Sequence, residues 1–295
     1  MNMNWKYHNP KFEYEEAFQD SAWPWSGHKF FAYDLIVNLK PERVVELGTH
    51  YGTSLWSFAQ AVKGHNIHTE LNAVDTWEGE KHAGFYGEEV FETVNEVKKK
   101  YYHDLKINLI RKTFDEALAD FKDNSIDVLH IDGLHTYEAV KHDFESWLPK
   151  MKESGMVLFH DIKVGELDFG VYKLWEELKK EYVTMEFHHS FGLGILFLGK
   201  NAENDIVEEQ DELQRHYYYL HESIKNGKLS NSFDTIKQKD QELQQKDQEL
   251  QQKDQELQQK DQELQQKDQE IVLMKESKFW KLREKYLRLK NKIKF

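Results

Sequence analysis

The sequence predicts an α/β domain, its sheet mainly parallel and covered on both faces, followed by a long helix. Three observations predict it. Strand-like apolar runs alternate with helical patterns through residues 1–200, as they do when parallel strands are joined by crossover helices. One of those runs, RVVELG, reads as a strand buried on both faces. After residue 200 the chain becomes polar and repetitive.

The elements follow in order. RVVELG (43–48) reads as a buried strand and Ser54 to Val62 as a helix. LNAVDTW (71–77) is the second strand. Glu88 to Lys100 is helical, with Val90, Val94 and Val97 at helical spacing. KINLIRK (106–112) is the third strand, and DEALADF (115–121) a short helix. SIDVLHIDG (125–133) is the fourth strand. The helix from Tyr137 to Leu148 puts Val140, Phe144 and Trp147 on one face and is stopped by Pro149. GMVLFHD (155–161) is the fifth strand, and VYKLWEELKKEY (171–182) a helix. The last runs, VTMEFHH and GILFLGK, leave no room for a crossover helix, so they are expected to form an antiparallel hairpin.

Composition narrows the function. The chain has 295 residues and no cysteine, which excludes disulfides, thiolate metal sites and a cysteine nucleophile. No run of 18 apolar residues exists, and the first residues hold no apolar stretch of signal-peptide type, so a cytoplasmic protein is expected. The net charge of −13 is uneven. From Lys275 to Phe295 nine Lys/Arg stand against two Glu, and the remainder holds 31 basic and 51 acidic side chains. An acidic body argues against a nucleic-acid groove.

The second part begins at residue 201. IVEEQDELQRHYYYLHESIKNG is expected to be a helix ended by Asn226-Gly227, inside a helical linker covering 201–238. KDQELQQ then occurs four times in tandem, at 239–245, 246–252, 253–259 and 260–266, within a repeat region of 239–274. Leu243, Leu250, Leu257, Leu264 and Ile271 fall one per heptad. Glu242–Lys246 begins a series of i,i+4 pairs in the favourable order, each worth roughly 0.2–0.5 kcal/mol. A long helix is expected. With Leu at d, the a position is Asp247 or its equivalents, so a coiled-coil homo-oligomer and a solvated single-helix spacer both fit. The tail, 275–295, is a basic amphipathic helix with Phe279, Leu282, Tyr286, Leu289 and Ile293 on one stripe. That pattern suits peripheral contact with the inner face of an anionic membrane, and equally a charged helix packed on a partner.

In an open parallel sheet, ligands bind beyond the carboxyl ends of the strands. After the first strand stand Glu46, Gly48, Gly52 and Ser54. Glycines there let the backbone turn tightly and approach a ligand. Their spacing is not the G-x-G-x-x-G of dinucleotide folds, which disfavours a dehydrogenase. Asp75 ends the second strand, placed to accept both ribose hydroxyls of an adenosine cofactor. His130-Ile-Asp132-Gly133-Leu-His135 follows the fourth strand, and His160-Asp161 the fifth. Carboxylates at neighbouring strand ends repel unless a cation or proton lies between them, and oxygen donors beside imidazole suit Mg²⁺ or Mn²⁺. A helix-capping Asp132 with Asp161 as a lone acid also fits. Trp77, His82 and Tyr86 lie in a loop with Gly79, Gly84 and Gly87, where a mobile lid and a well-packed loop are both open.

Four blocks, VVELGTHYGTS, AVDTWEGEKHAGFYGEEVF, IDVLHIDGLHTYEAVKHDFESWLPKM and GMVLFHDI, resemble a bacterial family of class I S-adenosylmethionine-dependent methyltransferases. That family is related to the macrocin-type sugar O-methyltransferases and the so-called cephalosporin hydroxylase group. The resemblance runs from about Ser21 to Lys200. It implies a Rossmann-like methyltransferase sheet of seven strands. It implies that Glu46, Gly48 and Ser54 face the methionine end of the cofactor, Asp75 its ribose, and Phe114 its adenine. In metal-dependent relatives an acid after the fourth strand and an acidic pair after the fifth bind Mg²⁺. Asp132 and Asp161 match those positions, and His160 stands where an acid is usual. The implied activity is O-methylation, with a sugar or glycan acceptor in surface-polysaccharide or glycoconjugate synthesis.

A hydroxyl attacking a sulfonium methyl group in line needs its partners positioned and its proton removed. His135 is expected as the general base, because imidazole titrates near neutrality; a structural histidine bonding the loop is the alternative. A hydroxylase-like enzyme of the same fold, and a coiled-coil scaffold with a degenerate domain, are the other functions the sequence leaves open.

Overall fold

The computed structural model describes residues 5–14, 24–199 and 209–225, and in the repeat and tail Lys246, 252–253, 255–260, 263–267, 269–275 and 278–292. Residues 1–236 and 237–295 are separate compact units.

The first unit is built on seven strands: β1 (Arg43–Leu47), β2 (Glu70–Asp75), β5 (Ile107–Arg111), β6 (Ile126–Ile131), β7 (Met151–His160), β8 (Val183–Phe187) and β9 (Leu193–Phe197). Their order is β5-β2-β1-β6-β7-β9-β8. Only β9 runs against the others, paired with β7 on one side and β8 on the other. This is the expected mainly parallel sheet with an antiparallel hairpin at one edge. A separate hairpin, β3 (Gly79–Glu80) with β4 (Gly84–Phe85), forms in the loop after β2.

Side chains alternate across the sheet and feed two cores. Val44, Leu71, Val128 and Leu158 point to one face, packed under α1 (Lys29–Leu39), α2 (Thr53–His65) and α3 (Glu88–Tyr101). Val45, Val74, Leu129 and Val157 point to the other, under α4 (Phe114–Ala117), α5 (Tyr137–Trp147) and α6 (Val171–Leu178). Burial on both faces places apolar side chains on both sides of the central strands.

The expected boundary at residue 200 needs correction, because the 201–238 segment is more than a linker. Its helix Gln210–Lys225 belongs to the first unit, with Leu213, Tyr217 and Leu220 buried in the α1 core. The Tyr217 hydroxyl donates to Asp34 Oδ2 at 2.6 Å, and the Trp5 indole N–H donates to the Tyr217 oxygen at 3.0 Å. Phe31 joins the cluster, stacked on Trp5 and edge-on to Phe187.

Asp34 makes this junction sensitive to pH. Burial raises its pKa to about 8, against hydrogen bonds from Tyr217 and the His8 backbone that lower it. Burial also lowers the pKa of His8, whose ring lies 2.8 Å away, so the contact is neutral rather than ionic. Between the ordinary value of 3.8 and about 8, the folded state holds a proton that the unfolded chain has released. The contribution of Asp34 to stability therefore falls as pH rises through that window and is flat above it. Asp34→Asn is expected to remove this slope, read as the difference between wild-type and variant urea midpoints at about pH 5 and about pH 8.

In the second unit every described residue is helical, including Lys278–Lys292. Leu257, Leu264 and Ile271 are exposed, as are Phe279, Leu282, Tyr286 and Leu289. Leu243, Asp247, Leu250 and Ile293 lie outside the described residues. Among the described residues no helix is long and apolar enough to cross a membrane.

Candidate active site

The site is assembled where β1, β2, β6 and β7 end. Gly48 follows β1 with φ +91°. A Cβ there would lie 2.1 Å from the Asp132 carbonyl oxygen, so the loops after β1 and β6 meet through backbone alone. Gly48→Ala combines a left-handed backbone with overlap on an atom that cannot rotate away. It is expected to cost at least about 2 kcal/mol in urea unfolding.

Asp75 pins the turn that follows. Its Oδ2 accepts the backbone N–H of Thr49 at 2.8 Å and of His50 at 2.9 Å, and its Oδ1 accepts that of Trp77 at 2.7 Å. A carboxylate offers about four acceptor positions. Three are taken, so the expectation that Asp75 accepts both ribose hydroxyls is corrected to room for one. Gly52 lines neither chamber described below; it starts α2 with φ +81°, and a Cβ there would press on the Trp56 indole.

Behind the turn Glu46 is 1% exposed. Its Oε1 accepts from the Ser54 hydroxyl and from His130 Nδ1, the latter at 3.0 Å. The Trp25 indole N–H donates to His130 Nε2 at 3.1 Å. Because indole only donates, this bond fixes the His130 proton on Nδ1. Glu46 Oε2 is buried with no hydrogen-bond partner.

Two chambers open above the strand ends. One, of about 230 Å³, is lined by Asp75, Thr113, Phe114 and Gly133 among others. Thr113 caps α4 reciprocally with Glu116, which fixes where Phe114 enters. The other, of about 310 Å³, is lined by Trp25, Tyr51, Ser54, His160, Asp161 and Phe169 among others. Gly48, His50, Ala83, Asp132 and His135 border both. A cleft of about 470 Å³ at the opposite strand ends is lined by Arg43, Lys63 and Glu70, away from every candidate residue.

Where the chambers meet, two carboxylates face two imidazoles. His135 Nε2 lies 2.8 Å from Asp161 Oδ2 and 3.4 Å from Asp132 Oδ1. His160 Nδ1 lies 3.3 Å from Asp132 Oδ1 and 3.4 Å from Asp161 Oδ1. His160 Nε2 donates to the Ser190 carbonyl at 3.1 Å, which leaves Nδ1 for the aspartates. Asp161 has φ +62°, a left-handed backbone conformation that is unusual for a residue other than glycine.

Charge follows geometry. Burial opposes a cation on His135, but its hydrogen bonds to the Asp132 and Asp161 carboxylates override it and raise the pKa to about 9. Burial likewise opposes a cation on His160, and the charges of Asp161 and Asp132 hold it well above its ordinary value. Burial works against an anionic Asp132 too, yet the His160 charge keeps it well below the carboxylate range. His135 is therefore loaded with a proton at neutral pH. The expected base must first lose the aspartate charge that holds that proton.

The β3–β4 hairpin leans on the loop after β7. Lys81 Nζ is 2.6 Å from Asp168 Oδ2, and His82 Nε2 is 2.7 Å from Asp168 Oδ1. Trp25 and Phe169 are site residues that sequence reasoning missed, and Tyr51 was not singled out although it lies inside VVELGTHYGTS. No motif marks Trp25, in the 3-10 turn Pro24–His28, or Phe169, in the loop after β7.

Residues 45–162 match a family model described as a methyltransferase domain. That segment is similar to methyltransferase domains. Glu46, Asp75, Asp132, His135 and Asp161 lie inside the methyltransferase domain match, whereas Trp25, Asp168 and Phe169 lie outside it. Over 190 residues the chain is 48% identical to the uncharacterized protein y4gI of Sinorhizobium fredii (strain NBRC 101917 / NGR234), covering 64% of this chain and 21% of that one. The chain thus spans about a fifth of that relative's length. In structure it is similar to a methyltransferase from Geobacter sulfurreducens, with TM-score 0.46, 14% identity and coverage of 58% of this chain and 78% of that one. It is also similar to the O-methyltransferase TomG from Streptomyces achromogenes in complex with SAM, with TM-score 0.46, 13% identity and coverage of 64% and 92%.

Proposed function

We propose that the protein is an S-adenosylmethionine-dependent O-methyltransferase acting on a sugar hydroxyl in surface-polysaccharide or glycoconjugate synthesis. The observation that carries this reading is the pair of chambers meeting at Asp132 and His135. The methyltransferase domain match supports it. In the smaller chamber Phe114 offers a ring for adenine, and Asp75 one acceptor position for ribose. Glu46 lines neither chamber but lies behind the turn after β1, and its unpartnered Oε2 would accept from the ammonium at the methionine end. In the larger chamber Trp25, Tyr51 and Phe169 offer aromatic faces for a sugar ring.

The cofactor's sulfonium supplies an already activated methyl carbon, so the protein's task is alignment and proton removal. Asp132 and Asp161 give oxygen donors for a divalent cation, and His160 gives Nδ1, oriented by its bond to Ser190. A nitrogen in the set suits Mn²⁺ better than Mg²⁺. Such a cation would bind the acceptor hydroxyl and lower its pKa. Titrating S-adenosylmethionine into the full-length protein by calorimetry, then following labelled methyl transfer to nucleotide sugars and methyl glycosides, tests the reading. Micromolar binding and a labelled glycoside support it; no binding with or without Mn²⁺ overturns it.

The second unit is proposed to place the enzyme, with the heptad helix joining copies and the basic tail resting on the inner face of an anionic bilayer. The exposed Phe279, Leu282, Tyr286 and Leu289 support this, because lysines and arginines surround them. Deleting residues 237–295 is expected to abolish sedimentation with phosphatidylglycerol vesicles and reduce the solution mass to one chain. Retention of both would refute the role.

A further inference from the structure

The chambers hold a second set of donors. One carboxylate oxygen of Glu80, one ring nitrogen of His82 and one of His135 lie within 4.8 Å of one another. The two imidazoles are already arranged as ligands usually are. His82 Nε2 bonds Asp168 Oδ1 at 2.7 Å, and His135 Nε2 bonds Asp161 Oδ2 at 2.8 Å. With both Nε2 atoms committed, Nδ1 is the donor each ring has left. Both Nδ1 atoms are buried without a hydrogen-bond partner, and the His82 side chain is only 2% exposed. A carboxylate on the far nitrogen is the support that metal-binding histidines commonly carry. A buried imidazole nitrogen with nothing to bond is otherwise a cost. Phe169 stacks on both rings, its centroid 4.4 Å from His82 and 4.8 Å from His135, so the two are held side by side.

The geometry points to a second cation site, formed by Glu80, His82 and His135, for a borderline divalent transition-metal ion such as Zn²⁺. Two imidazoles and a carboxylate make the donor set such ions take, with positions left open. The site shares His135 with the neighbouring cluster of Asp132, His135 and Asp161, takes its other two ligands from the hairpin, and does not rest on the methyl-transfer reading. Glu80 and His82 belong to the β3–β4 hairpin and its turn, and His135 to the loop after β6. The ion therefore clasps the hairpin over both chambers, alongside the Lys81 and His82 contacts to Asp168.

The test is a calorimetric titration of Zn²⁺ into chelator-stripped full-length protein, with visible Co²⁺ absorption reporting nitrogen ligation. One site is expected to persist in Asp132→Asn and to weaken at least about 100-fold in His82→Ala and in Glu80→Gln. Asp168→Asn is expected to weaken it by about 10–100-fold, as loss of a supporting carboxylate does. His142→Ala, which alters a surface imidazole paired with Asp115, leaves it unchanged. Unaltered thermal melting of the metal-free variants shows that the fold is kept. Wild-type Zn²⁺ affinity in both His82→Ala and Glu80→Gln overturns the proposal. So does loss of all tight binding in Asp132→Asn, which would leave a single site at the aspartates.

Discussion

In the Asp132→Asn protein, methyl transfer is expected to fall about a hundredfold to a thousandfold, with S-adenosylmethionine affinity within about threefold of wild type. The amide keeps the shape of the side chain. The backbone N–H of residue 132 still donates to the Leu47 carbonyl at 2.9 Å, so the loop after β6 stays in place. What changes is charge. His135 and His160 each face Asp132 Oδ1, at 3.4 and 3.3 Å, and lose one of the two anions that stabilise their cations. The proposed cation loses an oxygen donor, and the acceptor hydroxyl loses the field that would lower its pKa. Single-turnover kinetics and calorimetry on the same preparation separate the two quantities. Turnover near wild type would remove Asp132 from the chemistry.

Asp75→Ala should act on stability and on the cofactor together. Three backbone N–H groups lose a charged acceptor, and a hydrogen bond to a charged group contributes about 1.5–3 kcal/mol. Water replaces part of this, since the turn borders a chamber. A net loss of about 3 kcal/mol in urea unfolding is expected. S-adenosylmethionine binding should weaken at least about 100-fold, or about 2.7 kcal/mol, because the turn after β1 and the remaining acceptor position are lost at once. Asp75→Asn keeps one acceptor oxygen and should fall between. Reduced stability with wild-type affinity would show that Asp75 holds the turn and does not touch the cofactor.

The sheet was legible because its central strands are buried on both faces and carry apolar residues on each. The strand-end acids were legible because a parallel sheet presents its carboxyl ends to ligands. Helix α1 was missed for a related reason: Lys29 through Val37 are all buried, so KFFAYDLIVNL has no polar face to give a helical period. The Gln210–Lys225 helix was seen, but not where it packs. Its receiving surface comes from Trp5, Phe31 and Phe187, three distant segments with no common pattern. The hairpin has strands of two residues each, too short for an alternating signal. The Asp168–His82 pair spans 86 residues between two irregular loops. Gly52 and the second acceptor position of Asp75 were over-read, because sequence shows which groups approach a site but not which bonds they have already made.

The tie between Trp5, Asp34 and Tyr217 also sets the order in which the domain can be completed. Its hydrogen bonds join residues 212 and 183 positions apart. A nascent chain that has reached β9 holds every strand of the sheet, yet Asp34 lacks its tyrosine, and Phe31 and Phe187 lack their cover. Contacts this distant in sequence form slowly, and partly assembled sheets expose surfaces that chaperones recognise. The first unit therefore finishes folding late in synthesis, when Gln210–Lys225 has emerged and the ribosome is already translating the repeats.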